Sequence, residues 1–177
     1  MKSDEIFLKG AAIFEPELKK DERGYFTRVF CMKTVKKILG ISFNIVQINR
    51  SYTKKKGSIR GLHFQNYPAQ EDKIVQCLKG SIFDVAVDNR KNSKTFGKWF
   101  GTVLSEKNMR MLLIPKGFAH GFQALENDSL IEYFVSEYYH PEYEFGIRWN
   151  DPYLKINWPL NVTEISDKDK KLPLLDH

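Results

Sequence analysis

The chain has 177 residues, a length that suits one domain, with 28 Lys plus Arg against 22 Asp plus Glu for a formal charge of +6. Apolar residues at 42% and aromatics at 14% suffice for a packed core and exclude disorder as the main state. No apolar run approaches the roughly 20 residues of a membrane-spanning helix, and the opening Met1–Glu5 lacks the form of a signal peptide. Cys31 and Cys77 are too few and too far apart for a disulfide framework or a zinc ribbon. A cytoplasmic protein without a membrane partner is expected.

Thr34–Leu39 carries a helical pattern that Gly40 ends, because glycine readily takes the left-handed cap conformation. Lys54-Lys55-Lys56 and, later, Lys168, Lys170 and Lys171 are basic clusters mixed with acids and turn residues, and read as solvated loops. A positive balance favours anionic partners such as phosphorylated metabolites. Without a recognition helix or an aromatic stacking motif, no nucleic-acid partner is expected. After Gly40 the texture becomes short β-rich runs. Strict alternation sets Ile59, Gly61, His63 and Gln65 on one strand face and Arg60 on the other. Ile74–Leu78 and Ile82–Asp88 flank Lys79-Gly80-Ser81 and predict a hairpin. In its second strand Phe83, Val85 and Val87 share one face, and Asp84, Ala86 and Asp88 the other. Further strands are predicted at Trp99–Leu104, Met109–Ile114, Gly121–Leu125 and Leu130–Val135, a spacing that indicates a sandwich or jelly roll. Glu164–Lys171 reads as a short helix or a loop. With no repeat or linker in view, residues 1–177 form a single domain.

Two segments carry the chemistry. Gly57-Ser58-Ile59-Arg60-Gly61-Leu62-His63-Phe64 and Pro115-Lys116-Gly117-Phe118-Ala119-His120-Gly121-Phe122 each set a histidine beside glycines, where backbone approaches a ligand closely. Pro115-x-Gly117-x-x-His120 resembles the second signature of the cupin superfamily, and Gly57 with His63 fits the start of the first. Metal-binding cupins follow with a second histidine two positions on, where this chain has Gln65. No metal site is therefore expected, and a metal-dependent oxygenase or isomerase using His63 and His120 is the lesser alternative. An imidazole titrates near 6.5 and serves as a general base at cellular pH when a carboxylate orients it and a cation meets developing negative charge. Arg60, Lys73, Asp84 and Asp169 are the charged candidates, and Tyr133 adds a phenol acid. That inventory suits proton abstraction beside a carbonyl.

Ordered motifs along nearly the whole chain sharpen this. They include Asp21-Glu22-Arg23-Gly24-x-Phe26, Gln47-x-Asn49-x-Ser51, Arg60-Gly61-Leu62-His63-Phe64-Gln65 and Asp72-Lys73-Ile74-Val75. Asp84-Val85-x-Val87-Asp88-x-Arg90, Ser93-x-x-Phe96-Gly97, Trp149-x-Asp151-Pro152 and Ser166-x-Lys168-Asp169 continue the series. On these residues the chain resembles the dTDP-4-dehydrorhamnose 3,5-epimerases, the RmlC family.

The resemblance implies an all-β fold, a double-stranded β-helix or cupin-type jelly roll with short peripheral helices, working as a homodimer. It implies a cofactor-independent epimerase that inverts C3 and C5 of a nucleotide-linked 4-keto-6-deoxyhexose, as in deoxysugar biosynthesis toward rhamnose for cell-surface polysaccharide. By the same resemblance His63 is the base, Asp169 its carboxylate partner, Lys73 the group beside the C4 oxygen and Tyr133 the acid on the opposite face. His120 would touch the substrate, Arg23, Phe26, Gln47, Asn49, Arg60, Glu144 and Lys168 match nucleotide-sugar positions, and Tyr139 matches the residue that stacks on the base. For Arg60 to join His63 on one ligand, either Gly61 marks a bulge or Arg60 serves a neighbouring subunit. One departure stands out: the family has an acidic residue where this chain has Arg28, turning acceptor-only chemistry into donor-only chemistry. The expected substrate stays of the dTDP-4-dehydro-6-deoxyglucose type; because of that exchange, the alternative within the class is an enzyme inverting C3 or C5 alone, on dTDP or on another nucleotide.

Overall fold

The computed structural model describes residues 2–40 and 44–176, so Met1, positions 41–43 and His177 lie outside the described residues. In chain order it has β1 (Lys2–Glu5), β2 (Ala12–Glu15), β3 (Lys19–Asp21), β4 (Gly24–Phe26), α1 (Met32–Leu39), β5 (Gln47–Thr53), β6 (Ile59–Gln65) and β7 (Lys73–Lys79). There follow β8 (Ser81–Asp88), β9 (Trp99–Ser105), β10 (Met111–Ile114), β11 (Phe118–Ala124), β12 (Ser129–Val135), β13 (Glu144–Gly146) and α2 (Asp167–Lys170). Three sheets result, with strand orders β1-β2-β10-β7-β12-β5, β13-β6-β11-β8-β9 and β3-β4. The two large sheets pack face to face as the expected jelly roll, and the short helices lie outside it.

Three apolar layers explain the alternation of the strands. Val75, Cys77, Leu112, Ile114 and Ile131 meet Ile82, Ala86, Leu104, Phe118 and Phe122 between the sheets. Phe14, Ile74, Met111 and Leu113 face outward from the six-stranded sheet, and Val35 of α1 covers them. Val85, Val87, Ala119 and Leu62 face outward from the five-stranded sheet beneath Ile147, Leu154 and Leu175. The predicted split of β8 therefore holds: its valines go out under the later chain, and the face bearing Asp84 and Ala86 turns inward.

The expected hairpin across Lys79-Gly80-Ser81 does not form. β7 pairs with β10 and β12, whereas β8 pairs with β9 and β11, so the turn carries the chain from one sheet to the other. Both strands are buried on both faces over most of their length, and each is most stable inside its own sheet with a neighbour on either side. Strand β10 starts at Met111 rather than Met109, whose φ of 52° falls in the left-handed region. The helix ends as predicted, at a left-handed Gly40 with φ 67° whose N–H donates to the Lys36 carbonyl. The stretch 164–171 resolves into α2, capped by Ser166.

Candidate active site

The site is built on an irregularity in the five-stranded sheet. His63 of β6 pairs with His120 of β11, but Arg60 pairs with Phe122, so β6 spends two residues where β11 spends one. Strict alternation fails here, and the bulge at Gly61-Leu62 lets Arg60 and His63 line one cavity. Only glycine fits the bend: Gly61 has φ +99°, and a Cβ there would lie 2.6 Å from the His120 carbonyl oxygen and 2.9 Å from the Gly121 Cα.

The cavity between the sheets holds about 700 Å³ and is lined by Arg60, His63, Lys73, His120, Tyr133 and Asp169. A second lobe of about 320 Å³ is lined by Gln47, Asn49, Glu71, Tyr139 and Glu144, and shares His63, Lys73 and Tyr133 with the first. His63 comes from β6 and Tyr133 from β12 of the opposite sheet, so imidazole and phenol border the same space from two sides.

Each ionisable group has an identifiable support. His63 Nε2 lies 2.7 Å from Asp169 Oδ1, and the Gly61 N–H donates to Asp169 Oδ2 at 3.0 Å. Asp169 is 4% exposed and stands in α2, where its own N–H donates to the Ser166 hydroxyl. Burial alone would push the Asp169 carboxyl up, but hydrogen bonds from His63 and Gly61 outweigh it and hold the group below its ordinary value. Lys73 pairs with Glu71 at 2.8 Å, both largely buried. Burial, then the nearby Glu71 charge, pushes the Tyr133 phenol upward, which keeps it protonated. His120 Nε2 lies 2.7 Å from Asp84 Oδ1.

The smaller lobe has its own polar chain. Gln47 Nε2 donates to Asn49 Oδ1 at 2.9 Å, Tyr139 Oη donates to Glu144 Oε2 at 2.8 Å, and Lys168 Nζ meets the same Glu144 oxygen at 2.5 Å. Burial opposes ionisation of Glu144, yet Lys168 and Tyr139 lower its pKa, while Glu144 in turn raises that of Lys168. Gln65 is fully committed to backbone: its amide N–H groups go to the Ala69 and Tyr138 carbonyls, and its oxygen accepts from the His140 N–H. Among the described residues no three His, Cys, Asp or Glu side chains gather as a metal-binding group.

The structure thus brings together His63, Tyr133, Asp169, Lys73, Arg60, His120, Gln47, Asn49, Tyr139, Glu144 and Lys168. It does not bring Arg23, Phe26 or Arg28 to them. These belong to the β3–β4 arm and its continuation, where Arg23 is 90% exposed on its side chain and pairs with Asp21. Phe26 and Arg28 instead line a shallow pocket of about 210 Å³ beside Cys31. Sequence reasoning missed Glu71, although its spacing of two from Lys73 puts both on one strand-like face, and missed the capping role of Ser166 three residues before Asp169. Lys54 is exposed in the loop after β5, as expected of its cluster, and also borders the larger lobe, while its neighbour Lys55 pairs with Glu164 at the surface.

A family model described as dTDP-4-dehydrorhamnose 3,5-epimerase matches residues 5–177. The enzyme of that name from Escherichia coli K12 is 45% identical over 170 residues, covering 96% of this chain and 91% of its own. The Bacillus anthracis dTDP-4-dehydrorhamnose 3,5-epimerase, solved with TDP and PPi bound, superposes with a TM-score of 0.95 at 45% identity, covering 98% of this chain and 99% of that one. The Legionella pneumophila dTDP-6-deoxy-D-glucose-3,5-epimerase RmlC, solved with dTDP-4-keto-L-rhamnose, gives 0.93 at 43% identity, covering 98% of this chain and 92% of that one. Sequence, fold and a cavity flanked by imidazole and phenol converge, and the chain belongs to the dTDP-4-dehydrorhamnose 3,5-epimerase family.

Proposed function

We propose that this chain epimerises a dTDP-linked 4-keto-6-deoxyhexose at C3 and C5, with His63 as the base and Tyr133 as the acid. The observation that carries this reading is the His63–Asp169 pair at 2.7 Å, bordering one cavity with Tyr133 of the facing sheet. A carboxylate only accepts, so it fixes the ring proton on Nε2 and leaves the Nδ1 lone pair for substrate. His63 Nδ1 takes the proton from the carbon beside the C4 ketone, and the electron pair moves onto the ketone oxygen as an enolate. The Lys73 ammonium offsets that charge. Tyr133 then gives its phenolic proton to the same carbon from the other side, and that change of face is the inversion. Solvent restores both groups, and the cycle repeats at the second carbon. The two lobes are of the size usual for small-molecule sites, about 300–1,000 Å³. Gln47, Asn49, Tyr139, Glu144 and Lys168 are suited to the nucleotide side, and Arg60 to the diphosphate.

The β3–β4 arm completes the site in a homodimer. Its Tyr25 and Phe26 are exposed, and β5 leaves Ile48 and Tyr52 exposed at the edge of the six-stranded sheet. A second copy that covers this edge places its arm, with Arg23, Phe26 and Arg28, against the nucleotide lobe of the first. Arg28 offers only donors, which suit the carbonyl oxygens of thymine or uracil.

Incubation with dTDP-4-keto-6-deoxyglucose in deuterium oxide, followed by proton NMR, tests the activity. Deuterium at both C3 and C5 with a rhamno-configured product is expected. Label at one carbon only reduces the protein to a mono-epimerase, and label at neither refutes the reading. Sedimentation gives the subunit number, and titration with dTDP, UDP, CDP and GDP gives the base preference.

A further inference from the structure

Asp84 is fully buried on the inward face of β8, with 0% of its surface exposed. Its Oδ1 meets His120 Nε2 at 2.7 Å, and among the described residues its Oδ2 has no hydrogen-bond partner. His120 stands directly opposite His63 in the β6–β11 register, and opposed residues of an antiparallel pair project to the same side. The cavity is therefore lined by two histidines, each joined through Nε2 to an aspartate. They differ in depth and in support. The His63 side chain is 31% exposed and that of His120 10%. Asp169 is also held by the Gly61 N–H, whereas among the described residues the Asp84 carboxylate meets His120 alone.

We propose that Asp84 is a positioning residue that fixes the Nε2–H tautomer of His120, so that His120 Nδ1 accepts a hydrogen bond from a ring hydroxyl of the sugar. This rests on the epimerase reading above and adds a division of labour to it. The outer pair removes carbon-bound hydrogen; the inner pair reads the hydroxyl pattern of the ring. A site that spends a buried acceptor on one hydroxyl rejects sugars that lack it, because the acceptor is then left unpaired.

Nitrogen-15 NMR of the full-length protein tests the tautomer without turnover. There are only four histidines, and the His120 signals are those absent from His120→Gln. The Nε2–H form at His120 is expected; the Nδ1–H form, or a ring exchanging between the two, overturns the assignment. Kinetics supply the second test. Asp84→Leu should raise KM about tenfold or more while kcat stays within a few-fold, and should erase the preference of the wild type for the natural substrate over its 2-deoxy and 3-deoxy analogues. A variant that keeps both KM and that preference, or a wild type without any preference, overturns the hydroxyl-reading role. Wild-type protein that exchanges no deuterium overturns the epimerase reading instead, and the tautomer measurement still decides the place of Asp84.

Discussion

Replacing Asp169 with asparagine keeps the side-chain shape and removes the charge, and the surrounding geometry dictates how the amide must lie. The Gly61 N–H points at Oδ2 from 3.0 Å, so the amide oxygen has to take that side. The opposite orientation would set two donors against each other. The amide N–H2 then faces His63 Nε2 across the former 2.7 Å contact and can only donate to it. The ring proton moves to Nδ1, and the nitrogen that should receive hydrogen from carbon arrives already occupied. Loss of a general base costs about 10²–10⁴ in rate, or roughly 3–5 kcal/mol of activation free energy at about 1.4 kcal/mol per tenfold. Replacing one hydrogen bond to a charged group by a neutral one costs about 1–2 kcal/mol of stability, little enough for the fold to persist. The assay is the initial rate of deuterium incorporation at C3 and C5, with KM and near-ultraviolet circular dichroism measured alongside. Asp169→Asn should lose kcat by at least a hundredfold with KM within a few-fold. A folded variant that keeps more than a tenth of the wild-type kcat refutes the tautomer argument and with it the role of His63.

Tyr133→Phe leaves His63 in place, so carbon-bound hydrogen should still exchange with solvent while inversion falls about 10²–10⁴-fold; NMR of recovered substrate separates exchange from inversion. Gly61→Ala forces a Cβ to 2.6 Å from the His120 carbonyl oxygen at a φ of +99°, and should destabilise by about 3 kcal/mol. By calorimetry that is a fall in Tm of about 6–12 °C for a chain of this size. Asp88 is buried, which by itself would raise its pKa, yet Arg90, Ser93 and Thr95 donate to it and lower it to about 2 from 3.8. A depressed carboxylate stabilises fully above its unfolded value and loses that contribution as pH falls through the folded one. Acid unfolding should therefore steepen between about pH 4 and pH 2, and Asp88→Asn should flatten that limb while lowering Tm at neutral pH.

The sandwich was legible because short β-rich runs recur between turn residues along most of the chain after Gly40, which itself announced the end of α1. The pairing of those strands was not. Ile74–Leu78 and Ile82–Asp88 look like a hairpin locally, and only the burial of both faces of each strand assigns them to different sheets. The bulge at Gly61 is of the same kind: a glycine in a strand raises the suspicion, but the register shift depends on β11, nearly sixty residues later. His63, His120 and their glycine-rich settings were visible as candidate chemistry. The family resemblance already gave Asp169 as the partner of His63, and the two stand 2.7 Å apart. The partner of Asp84 was not legible, since only the pairing of β8 with β11 brings it to His120. Arg23, Phe26 and Arg28 show the limit of motif reading. Their pattern is plain in the chain, yet the fold of one copy carries them away from His63.

The two carboxylate–imidazole contacts are separated along the chain by very different amounts, 36 residues for Asp84 and His120 against 106 for His63 and Asp169. Closing the longer loop is entropically the harder, and it needs α2 docked beside β6. The Asp84–His120 contact thus lies wholly within the five-stranded sheet, whereas the carboxylate beside His63 comes from a C-terminal helix outside both sheets. A chain cut before α2 keeps the first contact and lacks the second.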